Sequence, residues 1–236
     1  MSPSAPMSLF ANHPLFIYQG GQVARPEFKY DYLLGQQGIV KRIDNHLVSA
    51  DHLIVPISGE LTGLGLKTYS LSPILLKVPR IPGALLQHVL EDARRNVQEE
   101  FMYYYKYDPA RQEWLVLRPQ QSRSSHSVRF EADMDPWIVV DCHSHNTMRA
   151  FWSPTDDDDE LDGRFYTVMG RVESPAPQLG VRLGLYGRYW IYDVPAEVLF
   201  EDISPFVQVP TVPSHLGHMY PPLGELGDYY FVEQQR

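Results

Sequence analysis

In the stretch DCHSHNTMRAFWSPTDDDDE, residues 141–160, His143 and His145 are followed by Ser153 and Asp156. These residue types, so close in the chain, can bind a metal ion. Imidazole is the commonest protein ligand of metals. Two imidazoles and one carboxylate make a catalytic-type zinc set that leaves a fourth position for water. The spacing matters as much as the types. The histidines close a short apolar run, WIVV, that reads as a buried strand. In extended chain, side chains at i and i+2 point to the same face, so both rings can turn to one ion while Cys142 and Ser144 face away.

The carboxylate comes from SPTD. Ser153, Pro154 and Asp156 form a helix-start signature: a serine N-cap, proline at the first helical position and an acid at the third. A helix tip directed back at the strand end would bring Asp156 against the histidines and the Ser153 hydroxyl beside the ion.

These residues need a scaffold, and the chain supplies one. From YDYLLGQQGIVKRIDNHLVSADHLIVPI onward, short apolar runs broken by Gly, Asn and Asp predict hairpin strands, and GLGLKTYSLSPILLKVPRIP continues in that style. Residues 1–27 read as an irregular arm. A helix is expected after Pro82, with Ile81, Leu85, Val89, Ala93 and Val97 in an apolar stripe beside Leu86 and Leu90. Strands follow at EFMYYYKY, EWLVLRP, HSVRFE and WIVVDC, with two more at GRFYTVMGRV and GVRLGLYGRYWIYDV. The expected fold class is α+β or α/β, an α/β-type sandwich. An arm and β-rich unit over 1–77 precede a catalytic domain over 78–194 and a proline-rich extension over 195–236.

The motif HSHNTMRAFWSPTD resembles that of the JAMM (MPN-plus) metalloproteases, and the match covers residues 100–156. With GRFYTVMGRV and YGRYW, the chain is similar over much of its length to the bacterial PRTRC system protein A family. The resemblance implies a mixed β-sheet flanked by helices. It also implies Zn2+ held by His143, His145 and Asp156, with Ser153 assisting the tetrahedral intermediate. The family's general base is a glutamate on an early strand after the first helix. Here QEEFMYYY selects Glu100, with Glu99 as the fallback, since alternation lets only one face the ion. The family has proline directly after the second histidine, whereas this chain has Asn146, which removes no ligand.

The activity implied is metal-assisted hydrolysis of a peptide or isopeptide bond at the C-terminus of a ubiquitin-like protein. A ThiF-like (E1-type) enzyme of the same gene cassette is the implied partner. A non-catalytic scaffold of JAMM fold is the alternative, and a small-molecule amide or thiocarboxylate substrate stays open.

Each piece also has a plain structural reading. SPTD alone is a capping box. Asp157, Asp158, Asp159 and Glu160 read as a solvated helix start whose acids complement the helix dipole. Cys142 reads as a small buried hydrophobe, and His215 and His218 as structural or exposed. The H-E-x-x-H motif and the phosphate-binding glycine loops are absent. With a net charge of −9 over 236 residues, a nucleic-acid partner is not expected. No apolar run approaches the ~18 residues of a membrane span, no secretory signal is apparent, and one cysteine allows no intrachain disulfide, so a cytoplasmic setting is expected.

Overall fold

The computed structural model describes residues 13–27, 29–59, 63–119, 121–123, 128–130, 135–192 and 194–210. The chain divides into two compact units, Met1–Lys77 and Val78–Arg236. Both are rich in strand, and the fold is α+β.

The first unit is one five-stranded sheet in the order β1-β2-β3-β4-β5. Its strands are β1 (Leu15–Ile17), β2 (Tyr30–Gly35), β3 (Gly38–Asp44), β4 (Val48–Pro56) and β5 (Leu75–Leu76). The expected arm thus contains a short strand, Leu15–Ile17, where β1 pairs in parallel with β2. Conversely, GLGLKTYSLSPILL yields only the two-residue β5 among the described residues. The core is apolar at Leu33, Val40, Ile43, Val48 and Ala50, yet it also holds charge. Asp31 and Arg42 are cross-strand partners, and Arg42 donates to both carboxylate oxygens at 2.8 and 2.6 Å. Fork geometry and direct opposition let a buried pair form without an unmet charge.

The second unit opens with α1 (Gly83–Arg95). Pro82 is its N-cap rather than part of the first turn, and the buried stripe is Leu86, Val89, Leu90 and Ala93. Spacings of three and four keep those four on one face, while Ile81 lies outside the helix and bridges to Phe200. Next come β6 (Met102–Asp108), β7 (Glu113–Leu117), and a separate pair, β8 (Gln121–Arg123) and β9 (Val128–Phe130). After them lie β10 (Ile138–Ser144), α2 (Pro154–Asp159), β11 (Phe165–Gly170), β12 (Gln178–Gly184), β13 (Trp190–Tyr192) and β14 (Val207–Gln208). The main sheet runs β13-β12-β11-β10-β6-β7, with β14 paired to β12. GVRLGLYGRYWIYDV, expected as one strand, is the hairpin β12–β13, and Gly187 at φ 77° lies in its turn.

The expected boundary at 195 also needs correcting. Leu199 and Phe200 are fully buried, Ile81 N–H donates to Leu199 O at 2.7 Å, and β14 extends the sheet. Residues 195–210 therefore belong to the domain, because their apolar side chains complete its core, and 211–236 lie outside the described residues. No helix among the described residues is long and apolar enough to cross a membrane.

Within this sheet, β10 pairs antiparallel with β6 on one side and parallel with β11 on the other. A parallel neighbour demands a long crossover. Residues 145–164 make it, so the chain leaves the end of β10, passes through α2 and returns beside it.

Candidate metal centre

The crossover is what gathers the expected site residues. His143 lies near the end of β10 and His145 follows it directly. Their rings are 4.9 Å apart. Phe151 packs on His145 at 4.3 Å between ring centroids, and Trp152 meets His143 edge-on at 5.7 Å. Ligand atoms of His143, His145 and Asp156 all lie within 4.8 Å of one another.

Both histidines are 5% exposed, so burial must be matched by partners. Nε2 of His143 and Nδ1 of His145 are buried and make no hydrogen bond among the described residues. Nε2 of His143 faces Oδ1 of Asp156 at 3.6 Å, beyond hydrogen-bond length. Burial pushes both imidazoles down, His145 to about 3 with the neighbouring His143 contributing. Neutral rings are the ligand-competent form. Two orphaned nitrogens on neutral rings that lie beside a carboxylate are what a bound cation would satisfy. The surroundings agree, since the acids Glu100, Asp157 and Glu160 are buried near Asp156, and burial raises the Glu100 and Glu160 carboxyls, with Asp156 adding to the rise in each and Arg182 opposing it at Glu160.

Asp156 performs two tasks with two oxygens. Ser153 is the N-cap of α2, and a complete capping box is present. Oδ2 of Asp156 accepts from Ser153 N–H at 2.6 Å, while Ser153 Oγ accepts from Asp156 N–H at 3.2 Å. Oδ1 is left to face His143. The capping box and the metal-ligand reading are therefore compatible, because the box fixes the carboxylate's rotamer. Burial works against the anion here, but the attraction of His143 and His145 at the low pH where they take up protons, together with the hydrogen bonds from Ser153, outweighs it, and Asp156 is held below the ordinary range. Ser153 Oγ acts as an acceptor in the box, which leaves its O–H to donate elsewhere.

Glu100 reaches the site through strand register. His143 lies opposite Met102, and in an antiparallel pair each step up one strand is a step down the other. Two steps further, Glu100 falls opposite His145, and Ser144 N–H donates to Phe101 O at 3.0 Å in keeping with that pairing. Opposed residues share a face, so Glu100 faces the histidines and Glu99 faces away. Glu100 is 6% exposed. Burial first, and then the charge of Asp156, raise its carboxyl to about 7. A cation held by the trio would draw it back down.

Asn146 takes a backbone conformation that is closed to proline. Its φ is 48°, a left-handed conformation that proline's ring forbids and asparagine tolerates. With its amide oriented to suit both neighbours, the side chain donates to Glu99 O at 2.8 Å and accepts from Glu100 N–H at 3.2 Å. It ties the segment after the histidines to the segment bearing the candidate base.

The acidic run is not a solvated helix start throughout. Asp157 and Glu160 are each 7% exposed. Arg182, fully buried on β12, reaches both: Nη1 donates to Asp157 Oδ1 at 2.6 Å, and Nε donates to Glu160 Oε2 at 2.7 Å. Its guanidinium carbon lies over the rings of Trp152 at 4.1 Å and Trp190 at 4.7 Å. Asp158 keeps the expected exposed character, paired with Arg188. Glu160 and Arg182 were not foreseen, though each left a signal. Glu160 falls one helical turn after Asp156, and Arg182 is a lone charge within an apolar strand run. Cys142 is buried, as a small hydrophobe would be, and burial pushes its thiol up to about 12. His215 and His218 lie outside the described residues.

Gly170 holds the crossover against the sheet. A Cβ there would come within 2.1 Å of Ala150 N and 2.4 Å of the Arg149 carbonyl carbon. Gly170→Ala must therefore displace the segment between His145 and Ser153. The expected cost is about 1–3 kcal/mol of stability in denaturant unfolding, together with weaker metal binding by chelator competition. Unchanged values for both would show that the crossover yields freely. In comparisons with known proteins, the chain matches no family model and no curated protein.

Proposed function

We propose that this chain is a zinc-dependent hydrolase of peptide or isopeptide bonds. It would act at the C-terminus of a ubiquitin-like protein, in the manner of the JAMM enzymes its motif resembles. The observation that carries the reading is the buried trio His143, His145 and Asp156, with two histidine nitrogens lacking any hydrogen bond. The set of two imidazoles and one carboxylate is that of catalytic rather than structural zinc. When bound, zinc would polarise the scissile carbonyl and acidify water.

The chain's own residues supply the rest. Asp156 offers Oδ1 while its other oxygen stays locked in the capping box. Glu100, on the same face, accepts the proton of the attacking water and returns it to the leaving amine, as one general acid–base group can. Ser153 O–H donates to the oxygen that gains charge in the transition state. Phe151 and Trp152 cover the histidines and keep bulk water from their flanks. A ThiF-like enzyme that attaches the ubiquitin-like protein is the partner this reading anticipates.

The test uses the full chain, chelator-treated and then reloaded with zinc. It should bind about one ion per chain and release the amine from a C-terminal amide conjugate of a ubiquitin-like protein encoded beside it. A chain that takes up zinc yet cleaves no such conjugate is not this enzyme. A chain that takes up none favours a scaffold that keeps the fold without the chemistry.

A further inference from the structure

We propose that Glu160, anchored by Arg182, is a positioning residue for the candidate metal centre, keeping the proton of His143 on Nδ1 and so presenting the Nε2 lone pair toward Asp156. The inference rests on the metal reading given above but concerns residues outside the expected ligand set.

The geometry assigns one face of each group. His143 has Asp156 Oδ1 3.6 Å from Nε2 and Glu160 Oε1 3.9 Å from Nδ1. Carboxyl oxygens of Asp156 and Glu160 thus flank the imidazole at its two nitrogens; burial pushes the Glu160 carboxyl up, and the Arg182 contacts to Oε2 work in favour of the anion. A neutral imidazole carries one proton, and the nitrogen that bears it is set by what the other face meets. Asp156 belongs to the ligand trio, so the proton-bearing side must be the one turned to Glu160. At 3.9 Å the contact is an electrostatic one rather than a formed hydrogen bond, and a small rotation of the ring toward Glu160 would close it.

Arg182 determines which oxygen Glu160 offers. Nε donates to Oε2 at 2.7 Å, and Nη2 lies 2.6 Å from that same oxygen. Oε1 is left facing His143. The arginine cannot slide away, because Nη1 is held by Asp157 and its plane is covered by Trp152 and Trp190. Trp190 also donates its indole N–H to the Glu160 backbone carbonyl at 3.0 Å. Thus β12 and β13 fix the end of α2, and α2 in turn fixes the ring on β10. An acid behind a metal-binding histidine raises its basicity and orients it.

Two measurements test this. In chelator-treated wild-type chain with 15N-labelled histidine, long-range 1H–15N spectra at neutral pH should show His143 as the Nδ1–H tautomer. An Nε2–H tautomer overturns the proposal, and this reading needs no variant that might fail to fold. For Glu160→Gln, zinc affinity by competition with a chromophoric chelator should fall about 10–100-fold, while Asp158→Asn, altering the exposed partner of Arg188, should match wild type. Wild-type affinity in Glu160→Gln overturns the proposal as well. If the wild-type chain itself binds no zinc, the parent reading fails, and the tautomer still decides the role of Glu160.

Discussion

Glu100→Gln is expected to bind metal with the stoichiometry of the wild type and to hydrolyse an amide conjugate about 10²–10⁴-fold more slowly. The substitution keeps size and shape at a site only 6% exposed, so packing is preserved. It also leaves the backbone bonds from Asn146 in place, since those involve main-chain atoms. What it removes is a carboxylate able to take and return a proton. Glu99→Gln is the matched control, because Glu99 lies one residue off the face that register assigns to the site, and its activity should be close to wild type. Full activity in a zinc-loaded Glu100→Gln chain would remove Glu100 from the mechanism.

The same residue gives the metal-free chain a pH signature. Burial and Asp156 raise the Glu100 carboxyl from its ordinary 4.5 to about 7. Between those values the folded state binds more protons than the unfolded one, so stability falls as pH rises through that window. In urea unfolding of the chelator-treated chains from pH 5 to 8, wild type should lose stability relative to Glu100→Gln as pH rises toward 7, because the two buried imidazoles, which act in the opposite sense, are common to both chains. An identical pH dependence in the two chains would mean that Glu100 titrates as a solvated carboxyl.

Asp156→Ala and Ser153→Ala should have similar effects on stability and different effects on metal. Each removes one half of the capping box, and losing an N-cap costs about 0.5–2 kcal/mol. Only Asp156 also presents an oxygen to His143. Metal content should therefore drop from about one ion per chain to nearly none in Asp156→Ala and stay near one in Ser153→Ala. Hydrolysis should fall in both, in the first through loss of the ion and in the second through loss of a donor. Asp156→Asn separates the tasks further. Its amide oxygen can still accept from Ser153 N–H, so the helix start should be retained while the ion is held weakly. Equal zinc affinity in Asp156→Ala and wild type would show that the carboxylate serves α2 alone.

How much of the site is legible in the sequence follows from how local each feature is. His143 and His145 share a face because the pleat repeats every two residues, a rule that needs only the knowledge that β10 is a strand. Ser153, Pro154 and Asp156 announce α2 because capping is settled within three residues. The stripe Leu86, Val89, Leu90 and Ala93 follows from a helical period, although its true centre lies beside the expected four-residue series.

Glu100 against Glu99, by contrast, hangs on a register between β6 and β10. Such a register joins strands far apart in the chain, and a slip of one residue would exchange their faces. Asn146 is recognisable as a departure from proline, but its positive φ and its grip on the Glu99–Glu100 backbone need the neighbouring strand in place. The acidic run is misjudged from sequence for the same reason. Local rules send Asp157 and Glu160 to solvent at a helix start, and only the arrival of Arg182 from β12 makes their burial tolerable.

The amino-acid order by itself determined which residues have ligand chemistry and which short elements carry them, because pleat and cap are properties of a few consecutive residues. Tertiary structure alone decided which glutamate joins the histidines, which acids are buried, and what holds the His143 ring. Those outcomes depend on strand pairings and on one arginine brought across the sheet from elsewhere in the chain.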